Sequence, residues 1–265
     1  MTRQRLDITL VDRGLFASRE RARAAVLAGH VRVDGQPATK AGLQVSPDAS
    51  IDVLQTPRFV SRGGVKLEGA LEEFGIDVTG LRVIDVGAST GGFTDCLLQR
   101  GATHVTAVDV GYGQLAWSLR SDVRVSVFER TNIRSVESGE LGAPFDLAVV
   151  DVSFVGLLVV LPHIVAQLSE SAMVVALVKP QFEVGKGRVG KKGVVRDEAL
   201  HREVLERAVR GAMGHGLCVA GLTYSPITGP EGNIEFWLWA VRGRTEQAQI
   251  EIDAVVRAAH ETLGA

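Results

Sequence analysis

Only two cysteines, Cys96 and Cys218, occur in 265 residues. Both fall in apolar, periodic segments, so two buried thiols are expected rather than a disulfide framework. No cluster of Cys and His has metal-ligand spacing, and no metal site is expected. Long apolar runs are also missing. The most apolar stretch, Phe154 to Leu161, ends at Pro162-His163, far short of the ~20 residues that cross a bilayer. The opening MTRQRLDITL has no signal-peptide run, which predicts a cytoplasmic protein without membrane association. A strong charge of one sign is absent as well: the formal net charge is −2, so the chain as a whole is not a basic nucleic-acid binder.

What is present is unevenly distributed. Residues 1–60 hold nine Arg and Lys against six Asp and Glu, and the remainder holds twenty against twenty-five. A basic front end on an acidic body points to a phosphate-bearing partner for the front end. The length suits one small and one large domain, expected at 1–56 and 65–265 with a linker over 57–64.

Residues 5–54 read as a small α/β module. Ser18 is a candidate N-cap for a helix through about Ala28, and Gly29 is its stop. Arg19 and Arg23 share a face of that helix. Val31-Arg32-Val33, the turn signal Asp34-Gly35 and Ile51-Asp52-Val53 supply short strands. The stretch RLDITLVDRGLFASRERARAAVLAGHVRVDGQ resembles the small RNA-binding domain of the ribosomal alpha-L type. The resemblance implies that Arg5, Arg19 and Arg23 meet structured RNA, read by shape and backbone. A solvated basic helix face is the alternative.

Thr56 to Gly64 is punctuated by Pro57 and Gly63-Gly64, as a linker is. The apolar spacing of Leu67, Ala70, Leu71 and Phe74 then predicts a helix with Lys66 in its first turn, where a cation opposes the helix dipole. From residue 80 the chain alternates strand and helix. Apolar runs at 82–86, 104–110, 123–128, 146–152 and 172–178 read as buried parallel strands. Two more strands follow, about 217–224 and 235–241, with helices at 197–213 and 245–263. The expected fold is α/β: a Rossmann-like S-adenosylmethionine-dependent methyltransferase domain whose seven-stranded sheet has its last strand antiparallel, behind a small N-terminal α/β RNA-binding domain.

Ligands of such sheets bind outside the carboxyl ends of the parallel strands. Asp151 and Lys179 follow strands four and five. Glu235 starts the antiparallel strand, and Lys66 arrives from the helix before strand one. All four are expected at one edge. The loop Asp85-Val86-Gly87-Ala88-Ser89-Thr90-Gly91-Gly92-Phe93 follows the first strand and opens a helix, so its backbone can approach a nucleotide-like ligand. Its G-x-x-x-G-G spacing departs from the dinucleotide fingerprint. Asp109 lies 24 residues after Asp85 and suits ribose hydroxyls, or serves as a turn cap. Asn132 is a candidate adenine contact or a turn residue. An acidic Asp85 suits a sulfonium better than a pyrophosphate, although a loop-capping aspartate is the plainer reading.

The Lys66, Asp151, Lys179, Glu235 set favours S-adenosylmethionine over a nicotinamide cofactor, because hydride transfer has no need of it. A ribose hydroxyl is a weak nucleophile, and a positioned base adds ~10²–10⁴-fold. Lys179 fits that role in its neutral form, oriented by Asp151, while Lys66 and Glu235 hold the ribose. Buried structural ion pairs are the alternative. Phe154 is placed to stack a base or to start a core helix. The loop Phe182 to Gly193, with Lys186 and Arg188, reads as a phosphate grip, as a solvated loop otherwise.

VSRGGVKL, DVGASTGGFTD, DVGYGQLAW, DVSF, LVKPQFEVGKG, GVVRD and GPEGNIEF, in that order, resemble the TlyA family. The resemblance implies a ribosomal RNA 2′-O-methyltransferase acting on cytidine in 16S and 23S RNA, with an FtsJ-like catalytic domain. Its Lys-Asp-Lys-Glu set falls on Lys66, Asp151, Lys179 and Glu235, its cofactor contacts on the loop 85–93, Asp109, Asn132 and Asp151, and its RNA contacts include Arg62. It further implies ribosomal RNA or ribosomal subunits as partner, and sensitivity to capreomycin and viomycin. Some relatives carry Trp where Phe59 stands. Members are also called haemolysins; that rival reading needs a membrane-active surface or an export signal, and neither is evident.

Overall fold

Runs that are apolar on both faces must be covered on both sides, and the larger part of this protein is a sheet between helical layers. The structure, a computed structural model, describes residues 3–16, 18–27, 29–54, 58–137, 139–185, 187–245 and 248–264. The chain forms two compact units, Met1–Arg58 and Phe59–Ala265.

In the N-terminal unit β1 (Gln4–Arg5) leads into α1 (Leu6–Asp12) and α2 (Arg19–Leu27), followed by β2 (Val31–Val33), β3 (Gln36–Pro37), β4 (Gln44–Val45) and β5 (Ile51–Val53). β1 pairs with β4, and β2 lies between β3 and β5. Asp34 and Gly35 both have left-handed φ, 49° and 76°, as a tight hairpin turn demands. Gly29 follows α2 with φ 77°; Ala28 lies outside the described residues. Helix α1 was not expected. Its signal is Leu6 and Leu10, one turn apart and both fully buried against Ala22, Val26 and Val31.

The C-terminal unit runs α3 (Arg62–Glu73), β6 (Arg82–Val86), α4 (Gly92–Gln99), β7 (His104–Val108), α5 (Trp117–Arg120), β8 (Val125–Phe128), β9 (Phe145–Val150), α6 (Leu157–Val165), β10 (Leu168–Val178), α7 (Pro180–Glu183), α8 (Glu198–Gly214), β11 (Leu217–Tyr224), β12 (Phe236–Arg242) and α9 (Ile252–Leu263). The sheet order is β11-β12-β10-β9-β6-β7-β8. β12 is antiparallel to both neighbours, and the other pairs are parallel. Strand alternation sends Val83 and Trp237 to the face covered by Leu67, Leu71 and Leu97 of α3 and α4. It sends Ile84 and Phe236 to the face covered by Leu161, Leu205 and Val256 of α6, α8 and α9. Chain order reverses direction between β6 and β9, and that switch point opens the crevice where such sheets take ligands.

Three expectations are corrected. Phe59 to Gly64 are not free linker: Phe59 is 3% exposed in the core, its ring fills the space where a Gly64 Cβ would stand, 2.2 Å from Cγ, and the Val60 N–H donates to Asp95 at 2.8 Å. Thr56 and Pro57 lie outside the described residues. Helix α3 begins at Arg62, with the Ser61 hydroxyl accepting from the Gly63 N–H. Lys66 is therefore in the second turn, where the N-terminal dipole argument has little force. The last helix begins at Ile252 rather than 245. The Ala248 N–H before it reaches the Val219 carbonyl of β11 instead. Helix α8 begins at Glu198, one residue later than expected, with Asp197 as its N-cap accepting from the Ala199 N–H at 2.8 Å.

Candidate active site

Register puts the key groups in one row. β10 and β12 end their pairing at Val178↔Phe236, so Lys179 and Glu235 stand opposite each other one step beyond. β6 and β9 end at Val86↔Val150, which sets Gly87 beside Asp151. The Asp151 N–H donates to the Val86 carbonyl at 2.9 Å. Lys66 joins the row from α3.

The four groups meet as two ion pairs. Lys66 Nζ lies 2.6 Å from Glu235 Oε2, with the residues 7% and 1% exposed. Replacing a pair this deep with packed apolar residues is often neutral or stabilising, so it contributes little to the fold's stability and is better explained by use. Lys179 Nζ pairs with Asp151 Oδ1 and donates to Ser153 Oγ at 3.0 Å. Gln181 Nε2 donates to Glu235 Oε1 at 3.2 Å. Neither Ser153 nor Gln181 was singled out from the sequence. Their motifs, DVSF and KPQFE, were legible, but which side chain faces the row depends on turns after the strands.

The glycine loop is shaped by close approach. Gly87 has φ 89°, and a Cβ there would stand 2.4 Å from the Asp151 carbonyl oxygen. Gly91 has φ 94° and packs under Leu115 and Leu119, so its role is in packing. Asp109 accepts from the Ser89 and Gly111 N–H groups, each at 2.7 Å. It thus fixes the loop and still presents lone pairs. A cavity of about 480 Å³ runs past Gly87, Ser89, Asp109, Asn132, Asp151 and Phe154. A second, about 350 Å³, includes Lys66, Ala88, Thr90, Gly92, Phe93 and Arg62. Both are bordered by Gly87, Ser89 and Asp151. Asn132 lines the first cavity while its Oδ1 accepts from the Arg134 N–H at 3.1 Å, so it also serves the turn.

Asp85 is a correction. Its side chain does not project into the loop: the residue is wholly buried in β6, lines neither cavity, and accepts from Thr94 Oγ1 at 2.7 Å. Its other oxygen has no partner among the described residues. Burial, with a smaller contribution from the Asp151 charge, pushes the carboxyl up to about 7. A carboxyl raised in the folded state contributes stability that is full below its unfolded value and is lost as pH rises through about 7. Asp85→Asn removes that loss. The melting-temperature difference between variant and wild type is expected to move in the variant's favour from acid to mildly alkaline pH, and a difference that stays flat with pH contradicts the assignment.

Phe154 is 91% exposed with φ 64°, three residues before α6, so it is no core residue. Phe182 supports its ring at 5.0 Å. Arg62 donates to the Thr228 carbonyl at 2.8 Å. Arg188 is held by Glu203 through both terminal nitrogens, which occupies much of its guanidinium. Lys186 lies outside the described residues. In the N-terminal unit Arg5 and Arg19 converge on the buried Asp7, at 2.9 and 3.2 Å. Arg5 foremost holds that carboxyl down to about 2. Arg23 is exposed and lines a groove with Arg5, Gly42 and Lys40. Lys40, overlooked in the sequence, completes its basic lining.

A sheet in this order, with a glycine loop, an acid after the second strand and a Lys-Asp-Lys-Glu row at one edge, defines an FtsJ-like methyltransferase behind an RNA-binding module. Comparison with known proteins agrees. Residues 59–242 match the FtsJ-like methyltransferase family, and residues 4–51 match the S4 domain. The chain is 50% identical over 248 residues to the 16S/23S rRNA (cytidine-2′-O)-methyltransferase TlyA of Mycobacterium tuberculosis, covering 93% of this chain and 92% of that one. It is 40% identical to Hemolysin A of Brachyspira hyodysenteriae, over 88% and 97% of the two chains. A solved hemolysin-named structure from Streptococcus thermophilus superposes with a TM-score of 0.76 at 41% identity, covering 100% of this chain and 98% of that one. The chain belongs to the TlyA family of FtsJ-like ribosomal RNA methyltransferases.

Proposed function

We propose that the protein transfers a methyl group from S-adenosylmethionine to the ribose 2′-hydroxyl of a cytidine in 16S and 23S ribosomal RNA. The observation that carries this reading is the pairing of Lys179 with Asp151, which borders both cavities, and of buried Glu235 with Lys66, which lines the second. The residues present fit the cofactor: Gly87, packed on the Asp151 backbone too closely for a Cβ, borders both cavities, and Asp109 is a fixed acceptor suited to ribose hydroxyls. S-adenosylmethionine, when bound, supplies a methyl group already activated on sulfur. The chain's own task is alignment and proton removal. Lys179, in its neutral form, takes the proton of the 2′-hydroxyl. Asp151 and Ser153 aim its nitrogen, Lys66 and Glu235 hold the ribose, and Phe154 stacks the base turned out toward the site. The relative's printed specificity supports cytidine and both subunits. Capreomycin and viomycin sensitivity would follow from modification of that RNA.

Mapping 2′-O-methylation on ribosomal RNA from cells with and without this protein tests the reading. A cytidine methylated only in its presence is expected, and identical maps overturn it. Among the described residues no helix is long and apolar enough to cross a bilayer. For the N-terminal groove, Arg23→Ala and Lys40→Ala are each expected to weaken RNA binding across sequences. Each should reduce the slope of log affinity against log salt by about 1. An unchanged slope in both variants would show that the groove does not meet phosphate.

A further inference from the structure

Lys179 and Glu235 stand opposite each other at the end of the β10–β12 pair, yet they are not partners. Lys179 pairs with Asp151, and Glu235 with Lys66. Opposite charges placed side by side at the mouth of a low-dielectric site attract strongly, so something must decide the pairing. Gln181 sits two residues after Lys179, in α7, and its amide nitrogen donates to the Glu235 oxygen that Lys66 leaves open. A carboxylate only accepts, which fixes the amide with its nitrogen toward Glu235. Both Glu235 oxygens are then engaged. Gly229 leaves room for this arrangement, since a Cβ there would stand 2.8 Å from Oε1.

We infer that Gln181 is a positioning residue that partitions the four charges into their two pairs, by occupying Glu235 Oε1 so that Lys179 remains with Asp151 alone. The inference rests on the methyl-transfer reading, in which Lys179 acts as a neutral base. Among the described residues, the charged groups placed around Lys179 are Asp151 after β9, Glu235 before β12 and, beyond Glu235, Lys66 on α3. Without the Gln181 donor, Glu235 turns its open oxygen to Lys179. A second carboxylate then holds the lysine in its ammonium form to higher pH.

Gln181→Met keeps the volume and removes the amide. Its kcat–pH profile, measured on ribosomal RNA beside wild type, is expected to shift its rising limb alkaline by about one pH unit. Methyl transfer near neutrality then falls about tenfold and recovers at high pH. S-adenosylhomocysteine affinity and melting temperature should stay near wild type. Gln181→Asn, which retracts the amide by one methylene, should shift the limb the same way and serves if the methionine variant does not fold. A limb that stays at the wild-type pH in the folded variant overturns the inference, whatever the size of kcat. Wild type that methylates no ribosomal RNA in the same assay overturns the functional reading instead, so the two failures are distinct.

Discussion

Lys179→Ala is expected to reduce methyl transfer to ribosomal RNA by ~10²–10⁴-fold, the range a positioned base contributes, with S-adenosylhomocysteine binding nearly unchanged. Single-turnover rates with tritiated cofactor measure it. The site makes this the cleaner of the two lysine experiments. Asp151, the partner left behind, has a side chain 22% exposed, so water can solvate it. Lys66→Ala would strand Glu235, whose side chain is 2% exposed, and breaking so deep a pair costs roughly 3–5 kcal/mol of stability. Lost activity in the Lys66 variant would confound folding with catalysis. A rate for Lys179→Ala within a few-fold of wild type, in folded protein that binds cofactor, would remove the base from the mechanism.

The second large effect is expected at Gly87. Alanine there adopts a left-handed φ, costing about 1–2 kcal/mol, and its Cβ would meet the Asp151 backbone oxygen at 2.4 Å. That oxygen belongs to the strand end that carries Asp151, so the neighbour cannot yield without displacing the site. Cofactor affinity should fall at least about tenfold, since each 1.4 kcal/mol is a factor of ten, and kcat should fall with it. Gly80→Ala is the control: its φ is 80°, but no atom lies within 4 Å of the added carbon. It should cost stability alone. Calorimetric titration of S-adenosylhomocysteine against both variants separates the clash from the backbone strain, and equal affinities would refute the cradle.

Much of this architecture was legible because strands buried on both faces leave an unmistakable apolar run. β6, β9 and the inner half of β10 are of that kind, and once they are ordered, the sheet edge carrying Asp151 and Lys179 follows from chain direction. The N-terminal hairpin was equally open, since Asp34-Gly35 permits few other conformations. What stayed hidden depends on contacts across the chain. Gln181 and Glu235 are separated by 54 positions, and no periodicity in a four-residue helix says which of its side chains faces the row. At Asp85 the sequence misleads, because an acid before glycines resembles a ligand contact. Only strand alternation combined with the helix above it shows that the carboxyl meets Thr94 instead. Phe59 reads as linker because Pro57 and Gly63-Gly64 flank it. Its burial depends on a glycine-sized gap in α3, which sequence spacing cannot reveal.

The position of β12 has a consequence for biosynthesis. It lies between β10 and β11, although both leave the ribosome before it, so the sheet closes only when the last strand slides between two earlier ones. Until then Met173 to Val178 of β10 form an unpaired apolar edge of the kind that invites aggregation, and Lys66 has no carboxylate to meet. A message truncated before codon 235 would therefore yield a polypeptide that is inert and insoluble for one and the same reason.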